Sequence, residues 1–155
     1  AMEPAAQMFI SSTYWSDTIG IRAAITTLEE IEKRETTKTI HKIGQQLKVA
    51  VNTLLQDYSL PATCSGVDWH PYLHFDAGHD TRLLNSLFIQ EMAKRSVHMG
   101  TSFYINEAHG ETELEETLSA MRDVFLIIRN ALDAEILPDL IETIPQVDLF
   151  RRLVK

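Results

Sequence analysis

Four stretches of the chain place apolar residues at intervals of three and four, which is the period of an amphipathic helix. The first is expected to end in a charge run near Glu35, and the second to run from about Lys38 to Tyr58. The third should begin at an Asp80 cap, and the fourth at a capping box over Thr112–Glu115. The four apolar stripes consist of Ile21, Ile25, Leu28 and Ile31; of Ile40, Ile43, Leu47, Val51, Leu54 and Tyr58; of Leu83, Leu84, Leu87, Phe88 and Met92; and of Leu114, Leu118, Met121, Phe125, Ile128 and Leu132.

The pattern changes between the second and third helical stretches. Residues 62–76 contain several aromatic residues together with Gly66 and Pro71. This pattern predicts two short strands or one bent strand. A further short strand is predicted around Val97 to Ile105. Gly44, at the edge of the second stripe, costs about 1 kcal/mol against alanine in a helix and therefore indicates close helix packing. The predicted fold class is α+β, with a small sheet covered by three or four long helices.

The composition narrows the class of protein. A chain of 155 residues that is 45% hydrophobic and 23% charged fits one compact soluble domain over residues 1–155. Its net charge of −8 argues against nucleic acid or an anionic membrane as a partner. The longest apolar run, Val124 to Ile128, is far too short for a membrane span. With one cysteine and no signal-peptide pattern, the protein is expected to be cytoplasmic.

Histidines and the lone cysteine are the first candidates for site chemistry. His70 and His74 would lie roughly 13 Å apart on an extended segment, too far to bind one metal ion, and Pro71 disfavours the helix that would bring them together. His79 adds no ligand set that spacing can identify. Cys64 has no positioned partner and is typical of a small buried hydrophobe. We therefore expect no metal site and no catalytic residue in this chain.

A polar and aromatic loop, Ser11 to Asp17, precedes the first helix. Ser16 or Asp17 is a natural N-cap, and hydroxyl residues ahead of a helix usually serve only as capping and turn residues. The alternative is an anion site, because the free N–H groups and the dipole of a helix start favour negative charge. Such a site would suit a phosphate, and the pattern alone leaves both interpretations open.

The segment Phe9 to Trp15, followed by a small-residue helix that ends in Glu-Glu-Ile, resembles a known family. It is similar to the start of the C-terminal part of class III pyridoxal-phosphate (PLP) aminotransferases, most closely the branch around glutamate-1-semialdehyde aminomutase. Phe88 to Arg95 and Glu107 to His109 are similar to later segments of that family. The family commonly has glycine at Ser96 and a hydroxyl residue at Gly110, and these departures leave the substrate open.

The resemblance implies a role in cofactor binding. In the family, this loop carries a threonine that reaches the PLP phosphate of the other subunit of a dimer; the matching residue is Thr13, and Ser12 is a candidate helper. The lysine that holds the cofactor in the family belongs to a large N-terminal domain, and no lysine of this chain matches it. The resemblance thus implies a homodimer in which this domain joins its own large N-terminal domain. The full-length protein would act on a small-molecule amino donor and acceptor.

Two alternative functions are consistent with the sequence. The first is the C-terminal small domain of a PLP-dependent aminotransferase or aminomutase, which corresponds to the last third or so of a family member. This domain would close the substrate site, and we expect the isolated chain to be inactive. The second is a non-catalytic α+β interaction module whose acidic surface docks a protein partner. The resemblance favours a fragment over an expression scar as the reason for the start at Ala1.

Overall fold

The computed structural model describes residues 13–14, 17–76 and 78–142, and within them it contains four helices and a hairpin. The helices are α1 (Thr18–Lys33), α2 (Thr36–Asp57), α3 (Thr81–Lys94) and α4 (Glu111–Asp133), and the strands are β1 (Ala62–Val67) and β2 (His70–Phe75). A 3₁₀ helix, Leu137–Leu140, follows α4. The predicted α+β class is confirmed. Among the described helices, none combines the length and apolar character that a membrane span requires.

The chain divides into two units after Thr37, inside the first turn of α2. The first unit contains α1. No residue of α1 is buried in the described part of the chain, and its apolar stripe is exposed, with 42% of Ile25 and 66% of Leu28 accessible. A stripe of this kind normally faces a core. The periodicity therefore identified the helix, but within the described residues its apolar stripe is not buried.

The second unit is built on the β1–β2 hairpin. The strands are antiparallel, with Cys64 opposite Leu73 and Val67 opposite His70, so Asp68 and Trp69 form a two-residue turn. Segment 101–105 pairs with the other edge of β2. Its hydrogen bonds are Leu73 N–H to Thr101 O (2.8 Å), Phe103 N–H to Pro71 O (2.8 Å) and Ile105 N–H to Trp69 O (3.2 Å). The short strand predicted around Val97 to Ile105 does not form as a strand: the sheet has two strands, and this segment adds only an isolated antiparallel bridge between Tyr72 and Ser102 with these flanking hydrogen bonds.

The helices α2, α3 and α4 share one apolar core with one face of this sheet. Alternate residues of the strands point to opposite faces, and Cys64, Leu73 and Phe75 on the covered face are buried. The aromatic rings of Phe88 in α3 and Phe125 in α4 stack with centroids 6.1 Å apart. The helical stripes predicted for these three helices supply ten of the 20 buried residues of this core.

The first turns of α3 and α4 show whether the predicted N-caps form. Asp80 caps α3 as predicted, since its Oδ1 accepts hydrogen bonds from Arg82 N–H (3.0 Å) and Leu83 N–H (3.3 Å). The capping box predicted over Thr112–Glu115 is wrong. The helix α4 begins two residues earlier, with Gly110 as N-cap and its N–H donated to Glu113 Oε2 at 2.8 Å. Glycine has no side chain to return the bond, so only half of a box forms.

Candidate functional site

Thr13 lies in a turn ahead of α1, and its side chain is exposed. Asp17 N–H donates to Tyr14 O at 3.1 Å on the helix side of this turn. Nothing in this arrangement buries the Thr13 hydroxyl. Ser12, the candidate helper, and Ser16, one of the two predicted caps, lie outside the described residues.

The start of α1 itself is capped by Asp17. Its carboxylate accepts hydrogen bonds from Gly20 N–H at 3.0 Å and from Ile19 N–H at 3.4 Å, which confirms Asp17 as the predicted N-cap. These are N–H groups that would otherwise favour a bound anion. A carboxylate in this place also repels a phosphate. Anion binding by this loop would therefore have to use Thr13 and its neighbours in the turn, and not the helix end.

The lysines of the described residues all lie in helices. Lys48 Nζ is 2.6 Å from Asp68 Oδ1, and Lys94 Nζ is 2.7 Å from Glu91 Oε1 and 2.5 Å from Glu142 Oε1. The hydrogen bonds that Lys94 donates to Glu142 and Glu91 raise the pKa of Lys94 above its ordinary value. An amine must lose its proton to act as a nucleophile, so a raised pKa makes Lys94 a poor one. The lysines in helices are Lys33, Lys38, Lys42, Lys48 and Lys94.

Cys64 is buried on β1, and burial raises the pKa of its thiol to about 11. The thiol is therefore protonated near neutral pH and is not an activated nucleophile. The Asn52 side chain pairs with its backbone: Cys64 N–H donates to Oδ1 (3.0 Å), and Nδ2 donates to Cys64 O (2.8 Å). In the described ranges, no three His, Cys, Asp or Glu side chains are grouped to hold a metal ion.

The loop before α4 is held by Asn106 and His109. Asn106 N–H donates to His109 Nδ1 at 3.4 Å, and Ala108 N–H donates to Asn106 Oδ1 at 2.9 Å. The Asn106 amide nitrogen is also 3.2 Å from His109 Nε2. His109 therefore orders this loop, in line with its position before the last long helix.

Asp68, at the tip of the hairpin, forms ion pairs with two residues of α2. Its carboxylate lies 2.6 Å from Lys48 Nζ and 2.8 Å from His41 Nδ1, while Lys48 also donates to Gly66 O at 3.1 Å. The hydrogen bond from Lys48 holds the pKa of Asp68 below its ordinary value, with smaller contributions from the charges of Lys48 and His41. The carbonyl of Asp68 meets α2 at Gly44, where a β-carbon would stand 1.6 Å from the oxygen. The close packing predicted at Gly44 is thus a contact with the hairpin tip.

The face of the sheet that the helices leave bare is called the open face below. Its strands expose aromatic, imidazole and hydroxyl side chains, and the Tyr104 ring stacks on the His70 ring with centroids 4.4 Å apart. Sequence reasoning did not single out this face, although the alternation of buried and exposed residues in His70–Phe75 carries the signal. The open face consists of Thr63, Ser65, Val67, His70, Tyr72, His74, Ser102 and Tyr104.

A groove of about 820 Å³ runs beside segment 96–106. Its apolar floor includes Ile43 and Leu47 of α2 and Leu114 of α4, and Glu113 and Thr117 lie on the α4 side. The groove is within the second unit and is wide enough for a small molecule or a peptide segment. Its lining also carries polar side chains, among them His98, His109 and Glu116.

The comparisons with known proteins that found a match all point to aminotransferases. No family model matches the chain. The 3-aminobutyryl-CoA aminotransferase of Cloacimonas acidaminovorans (strain Evry) is 26% identical over 131 residues, which cover 81% of this chain and 31% of that protein. The FumI protein of Sphingopyxis sp. MTA144, solved in its PLP internal aldimine form, has a TM-score of 0.71 at 20% identity over 90% of this chain and 34% of its own. An omega-transaminase from Sphaerobacter thermophilus has a TM-score of 0.66 at 15% identity, over 80% of this chain and 32% of its own.

The chain spans about a third of the length of these relatives. The structural similarities, at 15% and 20% identity, establish the fold, and the sequence similarity to an aminotransferase agrees with them. The particular branch of the family stays a prediction. The chain is similar to one third of an aminotransferase and has a fold shared with PLP transaminases, which confirms the resemblance to an aminotransferase C-terminal domain.

Proposed function

We propose that the chain is the C-terminal small domain of a PLP-dependent aminotransferase or aminomutase and works as part of a homodimer. The observation that carries this is the agreement between the Phe9–Trp15 motif and the independent similarity to an aminotransferase. The larger polypeptide would supply a cofactor-binding domain with the lysine that this chain lacks. The placement of the described lysines in helices, with Lys48 and Lys94 in ion pairs, supports that division of labour.

Thr13 is the residue we assign to the cofactor. Its hydroxyl and N–H would donate to the PLP phosphate in the site of the neighbouring subunit, with Ser12 beside it. The exposed turn ahead of α1 fits this role, and the capping of α1 by Asp17 makes the threonine, not the helix end, the donor. A hydrogen bond to a charged group contributes about 1.5–3 kcal/mol, or about 10- to 150-fold in affinity. Bound PLP supplies the electron sink that amino transfer needs.

The test uses the full-length protein with Thr13→Val, which keeps the shape and removes the hydroxyl. PLP affinity should fall about 10- to 100-fold, measured by titration of the cofactor absorbance. Thr53→Val is the matched control, because that hydroxyl is exposed and donates only to Val49 O within its own helix, at 3.1 Å. Equal affinities in the two variants would refute the assignment.

Subunit mixing tests whether Thr13 acts across the dimer. A subunit that lacks the cofactor lysine but keeps Thr13 is mixed with a Thr13→Val subunit that keeps the lysine. In a mixed dimer, one site then combines the intact lysine of one chain with the intact threonine of the other. Activity should therefore return on mixing. If Thr13 served the site of its own subunit, no mixed site would be complete and no activity would return.

The second candidate function is a non-catalytic interaction module. It is favoured by the absence of a catalytic constellation among the described residues and by the exposed stripe of α1. The two candidates differ in one measurement. A longer natural polypeptide that binds PLP with a lysine-dependent absorbance band supports the enzyme, whereas a natural polypeptide of this length without that band supports the module.

A further inference from the structure

The groove beside segment 96–106 borders backbone groups that have no partner in the described part of the chain. Phe103 N–H donates to Pro71 O of β2. Because successive N–H groups of an extended segment point to opposite sides, those of Ser102 and Tyr104 point away from β2. Both residues line the groove, and neither forms a further backbone hydrogen bond within the described residues. Natural sheets often cover such an edge with a helix or a loop, so a further piece of polypeptide would fit here.

The lining of the groove suits a segment that is apolar and positively charged. Its floor carries Ile43, Leu47 and Leu114, and its volume of about 820 Å³ accommodates a peptide segment. The lining contains no lysine or arginine, whereas Glu113 and Glu116 of α4 line it and are exposed. Opposite charges across a contact favour the matching partner over others. The groove therefore favours a basic, amphipathic occupant.

Residues 143–155, which lie outside the described residues, have this composition. They contain three of the 14 lysine and arginine residues of the chain but only one of its 22 aspartate and glutamate residues. With the period of a helix, their apolar residues would share one side and their cations the other, as in segments that dock in apolar grooves. The apolar residues are Val147, Leu149, Phe150, Leu153 and Val154, and the cations are Arg151, Arg152 and Lys155.

The last described residue, Glu142, lies close to the groove. Its N–H donates to Gln90 Oε1 at 2.9 Å, and Lys94 Nζ donates to its Oε1 at 2.5 Å. Ile89, the neighbour of Gln90 in α3, lines the groove, and so does Ser96, two residues after Lys94. A segment of 13 residues spans up to about 43 Å when it is extended. The residues that follow Glu142 can therefore reach the whole length of the groove.

We propose that residues 143–155 bind in this groove, with their apolar side on its floor and their cations beside its two glutamates. The segment then covers the backbone of Ser102 and Tyr104, so the domain closes its own sheet edge and keeps it from pairing with another chain. This contact lies within the second unit of the chain, and it does not depend on the proposed function.

Hydrogen–deuterium exchange with mass spectrometry tests the proposal on the 155-residue chain. Peptides that cover residues 143–155 and 100–106 should both exchange slowly. Phe150→Asp should speed the exchange of both at least about tenfold, because the burial of a phenylalanine side chain strengthens a contact by that factor or more. Val49→Asp is the control, at a side chain 60% exposed on α2 and outside the groove lining, and should leave both rates unchanged.

A charge exchange tests the placement of the cations. Glu116→Arg should speed the exchange of residues 143–155 about two- to fivefold, and Arg151→Glu combined with Arg152→Glu should do the same. All three substitutions together should restore slow exchange, which a general loss of folding could not do. Glu115→Arg, on the same helix but outside the groove lining, is the matched control and should change the exchange less than about 1.5-fold.

Each contrary outcome is distinct. Rapid exchange of residues 143–155 in the unaltered chain would overturn the proposal. Slow exchange that Phe150→Asp leaves unchanged, or changes without an effect on residues 100–106, would place the segment elsewhere and overturn it too. Slow exchange that appears only at high protein concentration would assign the groove to a second copy of the chain and overturn docking within one chain. The PLP titration of Thr13→Val is independent of all these results, so the proposed function stands or fails separately.

Discussion

Replacing Gly44 with alanine tests the close approach of α2 to the hairpin tip. The added β-carbon would stand 1.6 Å from Asp68 O, 2.5 Å from Asp68 C and 3.2 Å from Asp68 Cα. Non-bonded carbon atoms pack at about 3.5–4.0 Å, so α2 and the hairpin tip would have to separate by roughly 1.5 Å or more. The obstacle is backbone, which no rotamer change can move aside.

The expected loss of stability follows from two opposing effects. Overpacking of a filled site costs about 1–3 kcal/mol, and the backbone overlap here places Gly44→Ala at the upper end. Alanine returns about 1 kcal/mol through its higher helix propensity. The net destabilisation is about 2 kcal/mol, which for a chain of this size lowers the Tm by about 4–8 °C. Separation of the hairpin tip would also stretch the 2.6 Å contact between Lys48 and Asp68.

Urea unfolding followed by circular dichroism measures this loss, with Gly78→Ala as the control. A β-carbon at Gly78 would meet no atom within 4 Å, and its φ is not in the left-handed region. Alanine there should change the free energy of unfolding by less than about 1 kcal/mol. A Gly44→Ala protein as stable as the Gly78→Ala protein would refute the close approach of α2 and the hairpin tip.

Three further predictions concern the hairpin and its attachment. Asn52→Ala should lower the free energy of unfolding by about 1–3 kcal/mol, because the backbone N–H and C=O of buried Cys64 lose their partner; an unchanged urea midpoint would contradict this. For Asp68→Asn, the stability difference from wild type should be constant above about pH 5 and shrink as the pH falls below about 4, because a carboxyl whose folded pKa is lowered gives stability only while it is ionised. A difference that persists at pH 2 would show that the charge of Asp68 is not its cause. The Cys64 thiol should react with a disulfide reagent at pH 8 only after unfolding, since burial and a pKa of about 11 keep it protonated and covered; reaction of the native chain within minutes would exclude this geometry.

Local sequence rules predicted the helices because their causes are local. In α2, the predicted stripe positions Ile43, Leu47, Val51 and Leu54 are all buried. Asp80 caps α3 because an aspartate beside free N–H groups needs no information from elsewhere in the chain. The start of α4 was predicted two residues late, because Thr112 and Glu115 fit the capping-box pattern although the helix already begins at Glu111. The half-box on Gly110 is the one that forms.

The remaining features depend on residues distant in the sequence. Gly44 indicated close packing, but its partner at Asp68 is fixed only once the hairpin has formed. The pairing of segment 101–105 with β2 is likewise a contact between distant parts of the chain. The role of Thr13 stays a prediction for a related reason: the phosphate and the second subunit on which that role depends are not part of this chain.

The distribution of apolar surface bears on which of the two functions the chain performs. The second unit has a filled core, with Leu84, Phe88, Met121 and Phe125 at or near zero exposure, so its fold does not need a partner to bury those residues. The open face and the stripe of α1 are nevertheless uncovered, and their chemistry differs. The first is aromatic and polar, while the second is aliphatic. A free-standing module with one partner needs one such surface, whereas a domain joined to a larger body and to a second subunit needs more than one. Two unlike exposed surfaces, one in each unit, are therefore what the aminotransferase proposal requires, and protection of both in the full-length dimer is the result that would separate the two functions.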